Sequence, residues 1–312
     1  MPDVALHREL LAKFNAFHDE IPVFRVRHLS IEELERDASS FASGHLTLHG
    51  LPAPRPSLVR RAGVTHLQLP DNFAAQVFHA SGAVLCQRRI PPMDRLFSAD
   101  VTRERLTAEA TTAATRVGLH RRETPTDQLK FEHLWQIKAA GITRDGRRSE
   151  PVLCRTVGAF RRHLGGVPVW GRASAFVKLD GTGQVEAAGL DWRHLHDAPV
   201  ERARVIDPAD AARSVLGELS GRMIGARLDL GTHTPEFFSL GYFSMPKQRA
   251  QEFFQPVFVA RLKARGDSTL DHLIVVPASP RLYEPIARVA AASRQDRPKP
   301  ATVRTIAFRN DG

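Results

Sequence analysis

Hydrophobic positions follow helical spacing first and strand alternation afterwards, and this succession occurs three times along the chain. In the first block, residues 5–17 place leucine and phenylalanine three or four positions apart, which is typical of an amphipathic helix. Ser30-Ile31-Glu32-Glu33 forms a capping box that predicts a second helix over 31–41. Alternating segments then predict three strands, at 65–69, 73–79 and 83–90.

The second and third blocks repeat this order. A helix is predicted over 102–117, where Gly118 ends it. The third block begins with Asp207 as a helix cap and Pro208 at the first helical position, for a helix to about residue 219. Strands are predicted at 129–140, 151–163, 168–180 and 184–192 in the second block, and at 237–244, 255–263 and 270–277 in the third.

These patterns predict an α+β protein built from consecutive helix-plus-antiparallel-sheet units. The predicted segments are 1–92, with helices and a small sheet, 93–200, and 201–290. A polar, proline-containing tail follows over 291–312, with a possible edge strand at 303–308. The recurring order of elements indicates a structural repeat without sequence identity.

The stretch between two glycine turns carries the strongest motif. Gly165-Gly166 and the glycines of 181–183 mark chain reversals, and the segment between them alternates. We therefore expect antiparallel strands linked by a hairpin, with Val167, Val169 and Val177 contributing to packing. The motifs GVPVWG at 166–171 and V-x-L-D-G-x-G-x-V at 177–185 resemble the FTP and PepSY segments in propeptides of thermolysin-like metalloproteases. The resemblance spans residues 131–191. It implies cystatin-like or PepSY-like modules that bind and restrain a peptidase and have no chemistry of their own.

Composition and charge narrow the classes of function. The 312 residues carry 44 Lys and Arg against 34 Asp and Glu, a net charge of +10. The basic residues are scattered in pairs without interleaved aromatics, which favours solvated faces over a nucleic-acid surface. No apolar run reaches membrane-spanning length, and residues 1–10 lack the apolar region of a signal peptide. We therefore expect a cytoplasmic chain without membrane contact; a secreted chain that has lost its leader stays open.

The side chains that could carry chemistry are few. Cys86 and Cys154 each lie in an apolar run, which favours buried, unpaired thiols. His194 and His196 could bind a metal together with Asp191 or Asp197, but a third ligand at useful spacing is missing. H-E-x-x-H and Gly-x-Ser-x-Gly are absent, and Gly181-Thr182-Gly183 is typical of a strand turn. We expect no metal, no cofactor and no peptidase activity.

Three functions are compatible with these observations. The resemblance favours noncatalytic binding of a protein partner, as an inhibitor, chaperone-like or scaffold module. Most aromatics of 237–258 are expected in a core, whereas the 242–249 segment could display an aromatic and basic lip for the partner. The alternatives are a small-molecule enzyme with a pocket in a curved sheet, and a structural component of a larger assembly. The predicted binding residues are Tyr242, Phe243, Lys247 and Arg249; those of the enzyme are His133, His163, Asp191 and His194.

Overall fold

The computed structural model describes residues 2–14, 18–52, 56–92, 94–141, 146–171, 174–223, 233–264 and 271–285. The predicted tail at 291–312 lies outside these residues, as does the edge strand at 303–308. Helices and strands alternate along the described chain, so the predicted α+β class is confirmed.

The second, third and fourth helices begin where the capping residues predict, but the predicted ends are wrong for the first, which ends at Ala12, and for the second, which continues through Gly44 to Thr47. The capping box is present: the Glu33 amide donates to Ser30 Oγ at 3.2 Å, and the Ser30 amide donates to Glu33 Oε2 at 2.8 Å. Gly118 ends the third helix with φ 79°, a left-handed conformation that favours glycine. The helices are α1 (Pro2–Ala12), α2 (Ile31–Thr47), α3 (Arg103–Val117) and α4 (Pro208–Met223), and a 3-10 helix spans Leu119–Arg122.

Most of the segments predicted from alternation are strands in the structure, which also has strands that the alternation does not predict. The added strands are β1, β2, β11 and β13, which are short or carry charged residues. The strands are β1 (Glu20–Arg25), β2 (Ser57–Arg61), β3 (Val64–Gln68), β4 (Phe73–Phe78), β5 (Val84–Arg88), β6 (Asp127–Ala139), β7 (Val152–Leu164), β8 (Val167–Trp170), β9 (Ala175–Leu179), β10 (Val185–Leu190), β11 (Glu201–Arg204), β12 (His233–Phe243), β13 (Phe253–Phe254), β14 (Pro256–Ala264) and β15 (Asp271–Pro277).

Twelve of the described strands belong to one sheet. Its order is β15-β14-β12-β8-β7-β9-β10-β5-β4-β3-β2, and β6 pairs with β7 beside this path. The β8–β12 pair is parallel, with Tyr242 beside Val169, whereas the other described pairs in this sheet are antiparallel. A second, three-stranded sheet has the order β11-β1-β13.

The glycine-bounded stretch forms two strands where the alternation predicts one. Gly165 and Gly166, with φ 57° and 84°, make the turn from β7 to β8. β8 and β9 both lie antiparallel to β7 and do not pair with each other. At Gly171 the end of β12 passes close by, since a Cβ there would lie 2.6 Å from the Ser244 carbonyl oxygen. The predicted packing is confirmed, because the valines at 167, 169 and 177 are all buried.

Two large hydrophobic cores combine elements from different predicted segments. In the first core, α2 and α3 cover one face of the sheet around β4, β5, β7, β9 and β10; we call this the inner face, and the opposite one the outer face. In the second core, α1 and α4 pack on β12, β14 and β15. β5, from segment 1–92, pairs with β10, from segment 93–200. The packing therefore crosses the predicted boundaries, because alternation identifies strands but not their partners.

The thiol interpretation is confirmed. Cys86 and Cys154 are both buried and unpaired, and burial raises the pKa of the Cys86 thiol to about 12. Such a thiol is a packing group rather than a nucleophile.

None of the described helices is long and apolar enough to cross a membrane. Among the described residues, no group of three or more histidine, cysteine and acidic side chains could hold a metal ion.

Candidate functional site

The two aromatic residues predicted to bind a partner lie inside the protein. Tyr242 is 0% exposed, and its hydroxyl donates a hydrogen bond of 2.8 Å to the Pro22 carbonyl. Burial raises the pKa of Tyr242 above its usual value. Phe243 is buried against Val257 and Val259. Neither side chain is available to a partner in this structure, because the two residues face opposite sides of the sheet and each is buried in a hydrophobic cluster on its own side.

The two basic residues of that prediction are near the surface but have structural contacts. Lys247 Nζ lies 4.0 Å from the centroid of the Phe78 ring, a cation–π contact. Arg249 is exposed, and its carbonyl accepts a hydrogen bond of 2.9 Å from the Arg193 guanidinium. Arg193 also donates to the Met245 carbonyl at 3.1 Å, so this buried arginine fastens the segment to the sheet. The predicted aromatic lip is therefore not formed.

The four residues named for an enzyme do not form one site. His133 is exposed on β6, opposite Ala159 of β7, whereas His163 lies near the end of β7. His163 is half-buried, and burial lowers the pKa of its imidazole. Asp191 and His194 follow β10, and of the four only His194 lines the cavity described below.

The most exposed apolar side chains on the sheet lie on β6. Trp135 is 58% exposed and Ile137 is 45% exposed, while Leu134, the residue before Trp135, packs in the first core. Because strand side chains alternate, both exposed residues lie on the outer face. His133 is in edge-to-face contact with Trp135, with ring centroids 5.3 Å apart. Val152, opposite Ala139 on β7, adds a further exposed apolar side chain.

β6 is also an edge strand. In the described part of the chain it forms a ladder with β7 alone, and only its beginning is covered, where the Leu129 amide donates to the Glu123 carboxylate at 2.5 Å. The register shifts between Phe131 and His133 and again between Ile137 and Lys138. Bulges and lysines are common means of limiting uncontrolled pairing at an edge. We call residues 130–139 the β6 edge.

A cavity of about 500 Å³ lies beside the start of β6 and the end of β7. Arg162 on its wall donates through Nε and Nη2 to Asp127 at 2.8 and 2.7 Å, and its guanidinium stacks 4.2 Å from the centroid of Trp192. Arg122 donates through Nη1 to the Trp192 carbonyl at 3.2 Å and forms an ion pair with Asp37. The lining residues are Phe24, Arg122, Thr124, Thr126, Asp127, Arg162, Leu164, Trp192, His194, Leu195, His196 and Asp197.

His194 lies in a positively charged part of this cavity. Burial, and then the charges of Arg122 and Arg162, lower the pKa of His194 to about 4. Its Nε2 is buried and has no hydrogen-bond partner among the described residues. His194 and His196, which the sequence paired as potential metal ligands, both line this cavity, whereas the arginines come from distant segments and carry no local sequence signal. A cationic wall of this kind is unfavourable for a metal ion.

Comparison with known proteins shows a similar fold but no family. The structure is similar to the crystal structure of an uncharacterized protein from Eubacterium rectale, with a TM-score of 0.50 and 9% sequence identity over 88% of this chain and 89% of that one. At this identity the similarity concerns the fold alone. No protein-family model and no curated protein matches the chain.

Proposed function

We propose that the protein is a noncatalytic protein-binding module that pairs an extended segment of its partner with the β6 edge. The observation that carries this proposal is the position of Trp135, a 58% exposed tryptophan on a strand whose second edge is unpaired in the described chain. Strand addition supplies main-chain hydrogen bonds from the unpaired edge, and alternate side chains supply specificity.

The exposed side chains of the β6 edge have the composition of an interface centre. Tryptophan is enriched among the residues that contribute most to binding, and its large apolar surface favours burial. Ile137 lies two positions from Trp135 on the same face, and Val152 is exposed at the same end of the hairpin. A partner strand beside β6 would cover the tryptophan and isoleucine side chains together.

The charges around the edge indicate the chemistry of the partner segment. Lys130 and Lys138 are exposed on β6, and Arg147 and Arg148 are exposed in the hairpin between β6 and β7. Among the described residues of that hairpin, Glu150 is the exposed carboxylate. The excess of positive charge favours an extended acidic segment with alternating apolar residues. The resemblance to FTP and PepSY modules supports the same class of function, with a peptidase as one possible partner.

Selection from a displayed library of extended peptides tests this proposal. We expect acidic, alternating sequences to be enriched, and Trp135→Ala to weaken their binding at least tenfold, about 1.4 kcal/mol. Amide hydrogen exchange should show new protection within 130–139, because strand addition gives the unpaired amides acceptors. The matched control is Val59→Ala on β2, an exposed apolar residue on another edge strand, which should leave binding unchanged.

Two outcomes would contradict the proposal. Peptide binding that depends on Val59 but not on Trp135 would assign the interface to β2. Binding without new protection of amides in 130–139 would exclude strand addition at the β6 edge.

A further inference from the structure

The cavity beside His194 combines features that a small-molecule site requires. Its volume of about 500 Å³ is within the range of ligand pockets. Its walls come from both large cores, since Trp192 belongs to the first and Leu164 to the second. Places where separately packed parts of a protein meet are common ligand sites.

The two arginines of the wall are held in place without an added ligand. Arg162 is fixed by Asp127, by the Arg193 carbonyl at 2.8 Å and by stacking on Trp192. Arg122 is fixed by Asp37 and by the Trp192 carbonyl. Preorganised guanidinium groups recognise carboxylate oxygens with little loss of side-chain entropy on binding.

Each arginine of the wall is paired with a carboxylate, but the two guanidinium groups still act on each other. Burial and the charge of Arg162 lower the pKa of Arg122 to about 10, so the two cations disfavour each other. The same two cations lower the pKa of His194, and the negative charge of Glu33 opposes this shift. Asp197 lines the cavity but is exposed, and Asp127 is occupied by Arg162. A bound anion would reduce the repulsion between the arginines.

We propose that this cavity binds a small organic carboxylate with an apolar body. The carboxylate lies between Arg122 and Arg162 and accepts from the Nε2–H tautomer of neutral His194. The apolar body contacts Phe24, Leu164 and Leu195, and the hydroxyls of Thr124 and Thr126 lie at the exposed rim. This site is separate from the β6 edge, and it involves no covalent step.

Ligand-observed NMR with the full chain tests the proposal directly. The probes are small aliphatic and aromatic carboxylates, their uncharged amides, and inorganic phosphate. We expect at least one carboxylate to bind with Kd below about 1 mM, and its amide to bind at least tenfold more weakly. Equal binding of acid and amide would overturn the proposal. The absence of binding at a ligand concentration of roughly 10 mM would also overturn it, because the binding free energy would then be weaker than about 3 kcal/mol. Phosphate binding as tight as that of the best carboxylate would overturn the organic ligand class.

Variants locate the binding in the cavity. Arg122→Gln should weaken carboxylate binding at least tenfold, and the fold should tolerate it because Asp37 keeps its 2.9 Å contact with Arg121. The matched control Arg105→Gln removes the same charge from a side chain that is 71% exposed, and should leave Kd unchanged. If Arg122→Gln does not fold, Thr126→Phe provides the test. Its ring at the exposed rim should block entry of the carboxylate into the cavity and abolish binding. Undiminished binding in a folded Thr126→Phe or Arg122→Gln variant would overturn the assignment.

Discussion

β12 and the β6 edge are both aromatic strands of the same sheet, but they have opposite environments. β12 is paired with β14 on one side and with β8 on the other, and α1 packs against it. Within the described ranges β6 pairs with β7 alone, and it extends Trp135 and Ile137 into solvent. The aromatic residues of β12 therefore stabilise the fold, whereas the tryptophan of β6 is available for a partner.

The difference shows that aromatic content does not identify a binding surface. Segment 237–258 contains more aromatic residues than β6, yet Phe238, Tyr242 and Phe258 are essentially inaccessible. An exposed aromatic on an unpaired edge is more informative than a dense aromatic cluster, because the cluster is usually filling a core. Measurements of stability and of binding should separate the two strands.

Tyr242→Ala should have the largest effect on stability. The variant removes a fully buried ring that packs near Phe24 and Phe254, with centroids 6.0 and 6.3 Å away. Truncation of a buried aromatic residue costs about 3–5 kcal/mol, which chemical denaturation would measure. A loss below about 1 kcal/mol would mean that β12 is exposed in solution and would remove the contrast with β6.

Gly241→Ala tests how closely β8 and β12 approach each other. A Cβ at this position would lie 2.4 Å from the Trp170 ring and 2.5 Å from the Pro168 carbonyl oxygen. Overpacking of this kind costs about 1–3 kcal/mol, because the backbone or the indole has to move. The control is Gly217→Ala in α4, where no atom lies within 4 Å, and it should be neutral or stabilising. Equal stability of both variants would contradict the parallel pairing of β8 and β12.

Acid should destabilise the core while leaving the edge unaffected. Burial lowers the pKa of His45, which lies under the inner face, to about 3. The unfolded chain protonates this histidine near pH 6.5, so stability is complete above that pH and falls toward pH 3 as the pH decreases. Between pH 7 and 5 the loss is about 2 kcal/mol.

Thermal unfolding as a function of pH measures this loss. His45→Leu should reduce the loss of stability between pH 7 and 5 by about 2 kcal/mol and leave the part that comes from His194, whose pKa is also lowered by burial. A pH dependence that is the same in His45→Leu and in the wild type would assign it to other groups.

Tyr242→Phe should have a smaller effect than the alanine variant. It keeps the ring and removes only the hydroxyl that donates to the Pro22 carbonyl at 2.8 Å. The expected loss is about 1 kcal/mol, and denaturant titration resolves it when the slope is unchanged. Stability equal to that of Tyr242→Ala would show that the hydroxyl, and not ring packing, dominates at this position.

Trp135→Ala should have the smallest effect on stability. Because the indole is mostly in solvent, we expect a change within about 0.5 kcal/mol, together with the loss of peptide binding described above. Trp135 should also dominate quenching of tryptophan fluorescence by a polar quencher, since Trp192 is buried and Trp170 is half-buried and stacked on Phe237. A large loss of stability in Trp135→Ala would place this side chain in a core, as for Tyr242.

The sequence by itself determined the local structure. The capping box at Ser30, the glycine stop of α3 and the turn at Gly165-Gly166 all form as predicted, because each depends on residues only a few positions apart. Alternation located most strands and the buried valines of 167–177. Charged or short strands such as β2 were missed because they lack apolar alternation.

Only the tertiary structure decided which surfaces are covered. The burial of Tyr242 depends on β1, β8 and β14, and the cavity combines Phe24, Arg122, Arg162 and His194 from separate parts of the chain. Propensity and alternation act over a few residues, whereas strand partners are selected by packing between residues far apart in sequence. The sequence therefore determined the α+β elements, and long-range packing decided that Tyr242 is buried and Trp135 exposed.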